Sequence, residues 1–352
     1  MNKIAKLLLI FFPIFVIGCT TPKEQITIGV VANLTGSGAV ASEYCISGLN
    51  LAVSELNTAN NGVKYEIIYE DSQSNPSLAS NCYKMLEMKG AKYIIALGGQ
   101  FSLVVAPMTN GKEMLYFTTG DYNEAVLTMT DCGFRVFPSA TTFGEVSARF
   151  LIDSLKVSKI ATISMNTVPC LMATNSFEKW IKHHDGEIVF QDKYDIGTND
   201  FRNTISKLAN TDVEAVFFNG FGISPAAFCN QLAQYPQLDN LIIMGDVNFS
   251  IKSFTENNNN DKLRIFYADA EMEGESAQDY SKMNKIRPNT YAYCGYMLPY
   301  LINEAISETS EKNDYRAQRA VLLGRTIKTS AGSITFDSIG NADMDMKVFK
   351  LE

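Results

Sequence analysis

The sequence predicts an α/β protein built from two doubly wound parallel sheets, each covered by helices on both faces. Three observations predict it. Short, almost continuously apolar runs rich in Val and Ile alternate with segments of helical period across residues 26–118. The same alternation restarts at residue 159 and continues to residue 244. Between the two stands Phe134-Arg-Val-Phe-Pro138 followed by Ser139, a sequence suited to a chain leaving one sheet for another. Strands apolar on both faces belong to parallel sheets sandwiched by helices, whereas antiparallel strands with one wet face alternate.

In the first unit, residues 26–34 are β-branched and apolar, 41–56 have helical period, and 65–69 form a second strand. A helix over 78–89, a strand over 93–97, a helix over 103–112 and a strand over 114–118 follow. The second unit reads as strand 159–165, helix 173–184, strand 187–194, helix 201–210, strand 215–219, helix 225–234 and strand 240–244. Residues 253–261, with four successive asparagines, form a polar surface loop. A strand over 263–268, a helix over 291–307 and a β-rich stretch over 332–350 complete the chain.

The amino-terminal stretch is of another kind. Lys3 and Lys6 precede an apolar run over 7–17 that stops at Gly18-Cys19. A basic start, a short apolar run and a small residue make a secretory signal. The run is too short to span a bilayer, which needs about 20 apolar residues. Ending on Gly18-Cys19, it resembles a bacterial lipoprotein signal, which implies that residues 1–18 are removed and that Cys19 carries the lipid. The chain after Cys19 is then expected outside the cytoplasm, anchored to the cell membrane or the outer membrane.

Composition narrows the function. Hydrophobic residues make up 46% of the 352 and charged residues 19%, enough apolar material for two medium-sized cores. A net charge of −8 without any basic run argues against nucleic acid as a partner, because phosphate binding needs clustered Lys and Arg. Cys45, Cys82, Cys132, Cys170, Cys229 and Cys294 include no CxxC pair, which excludes ribbon zinc sites and thioredoxin-like chemistry. Their placement inside apolar patterns suggests buried free thiols. No metal, cofactor or catalytic constellation is expected. The two histidines, His183 and His184, read as a solvated helix end before Asp185-Gly186, and neither a G-x-S-x-G elbow nor a P-loop occurs.

An ordered set of fragments carries a resemblance. Asn33-Leu-Thr-Gly-Ser-Gly-Ala39, Gly48-Leu-Asn-Leu-Ala52, Tyr69-Glu-Asp71, Gly98-Gly-Gln-Phe-Ser102, Phe134-Arg135, Asn199-Asp-Phe201, Asn289-Thr-Tyr-Ala-Tyr293 and Ile334-Thr-Phe-Asp337 span nearly the whole chain after Cys19. Together they resemble branched-chain amino-acid-type periplasmic binding proteins, the receptors of ABC importers. The resemblance implies the class I fold, two lobes joined by a three-strand hinge with the ligand clamped between them. It implies a first lobe of residues 24–137 plus 270–325 and a second of 138–269 plus 326–352. The implied partners are a small-molecule ligand (an amino acid or analogue) and an ABC permease in the membrane. A sensory protein of the same fold and a non-binding interaction module are the rival readings.

Site residues follow from strand ends. Ser102 is expected to cap a helix starting near Leu103, and the resemblance implies that it meets a ligand carboxylate there. Thr119 and Gly120 end the next strand, where relatives contact ligand carboxylate and ammonium. Asp121 departs from the pattern: it points to solvent, binds a cationic group, or marks a ligand that is not an α-amino acid. Asp246 falls where the resemblance implies an acidic partner for the ligand ammonium. Phe221 stands where an aromatic borders the ligand, with plain packing the other reading. Ala41, placed in a first-lobe loop, would leave room for a larger ligand. Asn166-Thr-Val-Pro169 replaces the loop that usually supplies an aromatic lid.

Overall fold

Strand pairing sorts the chain into two large sheets and one small one. The computed structural model describes residues 24–59 and 62–351. The signal segment 1–18 and Cys19 lie outside the described residues. The first unit runs β1 (Glu24–Ala32), α1 (Ala39–Thr58), β2 (Val63–Asp71), α2 (Pro76–Met88), β3 (Tyr93–Leu97), α3 (Gly99–Thr109), β4 (Leu115–Thr119) and β5 (Gly133–Arg135). Its strands lie in the order β2-β1-β3-β4-β5, all parallel. Alternate residues of β1 serve opposite layers: Ile28 and Val30 join the core under α1, and Val31 joins the core under α2 and α3. Both faces are therefore covered, as the continuous apolar runs require.

The second unit runs α4 (Ala140–Arg149), β6 (Lys159–Met165), α5 (Val168–His183), β7 (Glu187–Tyr194), α6 (Arg202–Leu208), β8 (Ala215–Asn219), α7 (Ser224–Leu232), β9 (Ile242–Gly245), α8 (Lys252–Thr255) and β10 (Arg264–Ala270). The strand order β7-β6-β8-β9-β10 repeats that of the first sheet. In both sheets the order reverses beside the first strand, between β1 and β3 and between β6 and β8. Doubly wound sheets bind ligands outside the carboxyl ends of their strands at such reversals.

The remainder comprises α9 (Gly274–Asn284), α10 (Thr290–Ser307), α11 (Tyr315–Leu322), β11 (Thr326–Thr329), β12 (Gly332–Phe336), β13 (Ala342–Asp343) and β14 (Met346–Lys350). Helix α10 lies against α1 so closely that two glycines are needed. A Cβ on Gly48 would stand 2.2 Å from the Ala292 carbonyl oxygen, and one on Gly295 would stand 2.1 Å from that of Cys45. The sequence reading puts everything from Thr326 onward with the second unit. In the structure β11–β13 form their own antiparallel sheet against α10 and β5, with the Phe336 ring 4.7 Å from that of Phe134. Only β14 joins the second sheet, antiparallel to β10. The chain thus passes between the large sheets after β5, after β10 and after β13. All six cysteines among the described residues are buried and free.

Candidate ligand site

The loops after β3 and β4 build one side of the site. Gly98 turns the chain at φ 113° straight out of β3, so α3 begins at Gly99, earlier than the sequence suggests. Ser102 therefore sits inside the first turn rather than at its cap. Its hydroxyl, fully buried, donates to the Gly98 carbonyl at 3.2 Å and hydrogen-bonds the Thr118 hydroxyl. A serine bonded back to its own helix also packs against it, and Ser102 is fully buried in this arrangement. Thr119 closes β4, buried, its hydroxyl without a hydrogen-bond partner. Gly120 follows at φ 66°, and a Cβ there would stand 3.6 Å from the Tyr291 ring.

Asp121 does not point to solvent. It is 2% exposed. Its Oδ1 accepts the Asn123 N–H at 2.8 Å and lies 2.8 Å from the point a Cβ on Gly99 would occupy, while its Oδ2 has no hydrogen-bond partner. Burial pushes the carboxyl up, opposed by Asn123, Ser102 and the nearby Arg135. Arg135 gives that carboxylate no hydrogen bond. Fully buried, it donates to the backbone carbonyls of Asp121 (3.0 Å), Phe137 (2.6 Å) and Pro138 (3.3 Å) and to Asn341 Oδ1 (2.9 Å). Its one ion pair among the described residues, to Glu124, is 3.7 Å long. The guanidinium so ties the Asp121 turn to the passage after β5 and to the turn that leads into β13, a role that the fragment Phe134-Arg135 alone did not disclose.

The loops after β6, β8 and β9 build the other side. Asp246, 6% exposed, caps a single 3-10 turn over Val247–Phe249. Its Oδ1 accepts the Asn248 N–H at 3.0 Å and the Asn248 side-chain amide at 2.9 Å. Burial raises this carboxyl to about 6, with the Asn248 bonds pulling it down. Among the described residues it forms no ion pair with any lysine or arginine. Tyr194 ends β7 and donates from its hydroxyl to the Asn219 carbonyl at 3.4 Å. Gly220 must stay small, because a Cβ would reach within 1.8 Å of that hydroxyl. Phe221 is 41% exposed, so it is not a core packing residue.

Two tyrosines bring the halves together. Tyr122 meets Phe137 edge-on at 5.0 Å, and Tyr291 lies 5.3 Å from the same ring. Burial raises both hydroxyls, and the Asp246 charge raises both further. The Tyr122 hydroxyl makes no hydrogen bond of normal geometry. The charge of Asp246, in the second sheet, is thus felt by Tyr122 and Tyr291, which belong with the first. Ala41, placed in a loop by the sequence, instead lies half-buried in the opening turn of α1. Asn166 is exposed and donates to Asp195 Oδ1 at 3.4 Å.

Other features lie elsewhere. A surface hollow of about 390 Å³ is lined by Ser158, His183, His184 and Glu187, at the amino ends of β6 and β7. That is the opposite end from the tyrosines. His184 stacks on Trp180 at 3.6 Å, a helix-end contact. Among the described residues no group of metal-ligating side chains gathers.

Comparison with known proteins agrees with this geometry. A family model described as periplasmic binding protein matches residues 25–352. The Leu/Ile/Val-binding protein homolog 2 of Brucella abortus (strain 2308) is 23% identical over 338 residues, covering 92% of this chain and 89% of that one. The branched-chain amino-acid substrate-binding protein LivJ of Streptococcus pneumoniae, in complex with isoleucine, superposes with a TM-score of 0.81 at 17% identity, covering 94% and 97% of the two chains. A solute-binding protein of an ABC transporter from Rhodopseudomonas palustris BisB5, in complex with 3,4-dihydroxybenzoic acid, gives 0.79 at 18% identity, covering 93% of each. Two doubly wound sheets joined by three passages of the chain are the architecture of a solute-binding protein. The chain belongs to the periplasmic binding protein family.

Proposed function

We propose that this protein is an extracytoplasmic solute receptor, anchored through a lipid on Cys19, that closes on a small polar ligand and delivers it to an ABC importer. The lobes would be residues 24–137 with 270–343, and 138–269 with the last strand. The observation that carries the reading is Asp246, a buried carboxylate of the second sheet without a cation of its own, whose charge is felt by Tyr122 and Tyr291 of the first. A buried charge left uncompensated is costly, so its persistence fits a partner that arrives from outside. A ligand cation held by Asp246 supplies the differential contact that favours the closed arrangement, and only such a contact can drive closure. Thr119, Gly120 and Asp121 would form the first lobe's share of the site, with Phe221 and Ala41 at its rim and Ser102 holding Asp121 from beneath.

Calorimetric titration of the soluble chain with a panel of amino acids, amines, amides and small acids tests this. Saturable heat from at least one member, with a matching rise in melting temperature, is expected. Folded protein silent to the whole panel rejects the receptor reading. Intact mass of the membrane-extracted protein, with Cys19→Ser as the comparison, tests the anchor: the lipid mass is present on the first and lost from the second.

A further inference from the structure

The first passage between the sheets is held by a side chain. Arg135 ends β5, is 1% exposed, and folds its guanidinium back over the chain that follows it. Its Nε donates to Asn341 Oδ1, and its Nη1 to the carbonyls of Asp121, Phe137 and Pro138. Burial holds the guanidinium below its ordinary pKa, against the pull of Glu124 and Asp121. Taking such a cation out of water is costly, and an apolar side chain of similar volume would fill the space with less penalty. What the planar head supplies is a fixed geometry among several acceptors.

Those acceptors belong to three segments far apart in the chain: the turn after β4, the passage after β5, and the turn before β13. Backbone bonds fix the same segments from behind. The Val136 N–H donates to the Thr118 carbonyl at 2.8 Å, and the Arg135 N–H to that of Gly340 at 2.9 Å. Asp337 accepts the N–H groups of Gly340 and Asn341, each at 2.8 Å, and the Asn341 side-chain amide at 3.1 Å. The amide oxygen of Asn341 is left for Arg135.

The second unit begins at once beyond. Ser139 caps α4, its hydroxyl oxygen accepting the Thr142 N–H at 3.1 Å. The ring of Pro138 locks its φ. Between the last carbonyl that Arg135 holds and the capping residue, only ψ of Pro138 and φ of Ser139 are left to turn.

We propose that Arg135 is a positioning residue that makes the turn Gly120–Tyr122 and the first hinge passage move as one body. On the receptor reading above, that turn is the first lobe's share of the ligand site. A ligand that displaces the turn then acts on the hinge through one guanidinium. The assignment rests on that reading for its meaning, but its test needs no ligand.

Native-state amide exchange of the intact, ligand-free chain tests it. Arg135→Lys keeps the charge and loses the planar fork. The Asn123 N–H, bonded to Asp121 Oδ1, reports the turn, and the Val136 N–H reports the passage. Both are expected to exchange about two- to tenfold faster in the variant, while amides of β3 and β8 keep their rates. Asn341→Ala removes a single acceptor. It is expected to give the same pattern more weakly, and it decides the matter if Arg135→Lys does not fold. Acceleration of one of the two amides alone would show that turn and passage move separately and overturn the assignment. Equal acceleration in β3 and β8 would make Arg135 a support of the whole core and overturn it too, as would wild-type rates throughout. None of these results touches the receptor reading, which stands or falls by its own titration.

Discussion

The Tyr44 hydroxyl accepts the backbone N–H of Lys252 at 3.1 Å, tying α1 beside the first sheet to the segment that follows β9 in the second. Next to it Lys252 Nζ pairs with Glu43 at 3.2 Å. The ion pair is exposed, and such pairs contribute little. The tyrosine bond is sheltered, and burial pushes the Tyr44 hydroxyl up to about 12, so it stays neutral at ordinary pH.

Tyr44→Phe is therefore expected to weaken ligand binding without unfolding the protein. One hydrogen bond of this kind is worth about 0.5–1.5 kcal/mol, which calorimetry reads as a loss of roughly two- to tenfold in affinity. The melting temperature without ligand should fall only slightly, because one such bond is a small part of the total stability. Equal losses in both measurements would mean that Tyr44 acts in folding rather than in closure.

Asp246 sets stability against function. Its carboxyl is raised from 3.8 to about 6 by burial, so the folded chain holds this proton to higher pH than the unfolded one does. Stability then falls as pH rises from about 4 to 6 and stays low above that. A shift of that size corresponds to about 3 kcal/mol. Asp246→Asn keeps an oxygen to accept from Asn248 and should stabilise the ligand-free protein at pH 7.5 by up to that amount, with no gain near pH 4. The same substitution should weaken binding of a cationic ligand by about 10- to 100-fold, the worth of a charge-assisted hydrogen bond. In the unsubstituted protein, affinity for that ligand should drop as pH falls below about 6.

Much of this architecture was legible because buried parallel strands write themselves plainly. The runs at 93–97, 159–165, 187–194 and 215–219 coincide with β3, β6, β7 and β8. Helix α9, GESAQDYSKMN, lacks an apolar stripe, and α4 carries two threonines and a glycine, so neither announced itself. The start of α3 was misplaced because two glycines disfavour helix by propensity, although the positive φ of Gly98 is what lets the helix follow the strand at once. Asp121 and Asp246 could be picked out at strand ends. Their shared neighbours could not, because Tyr122 and Tyr291 meet only through the packing of α10 against the first sheet.

That packing can be probed directly. Gly295→Ala would set a methyl 2.1 Å from the Cys45 carbonyl oxygen and force α1 and α10 apart. Overpacking of this kind costs typically about 1–3 kcal/mol, and backbone that cannot turn aside puts this site at the upper end. A denaturant melt should show the loss. A change below about 0.5 kcal/mol, the range of ordinary surface substitutions, would mean that the two helices lie farther apart than the structure has them.

The second passage between sheets holds a buried acid of its own. Asp269, at the end of β10, accepts from the Thr290 N–H at 2.7 Å and the Thr290 hydroxyl at 2.6 Å, which fastens the second sheet to the start of α10. Burial raises its carboxyl to about 7, against the pull of Thr290 and Arg287. Arg287 stands 3.5 Å away, and its guanidinium also lies 3.4 Å from the centre of the Phe349 ring on β14. Stability should decline as pH climbs toward 7, because the folded state keeps this proton longer than the unfolded chain. Arg287→Ala deepens that decline by leaving the ionised Asp269 without its cation. The arginine is partly exposed, so the expected cost is roughly 1–3 kcal/mol at pH 8, below that of a fully buried pair. At pH 5 Asp269 is neutral with or without the arginine, and most of the deficit should disappear. Thermal melts of both proteins at the two pH values decide it: a deficit equal at pH 5 and pH 8 would show that Arg287 works by stacking on Phe349, not through the charge of Asp269.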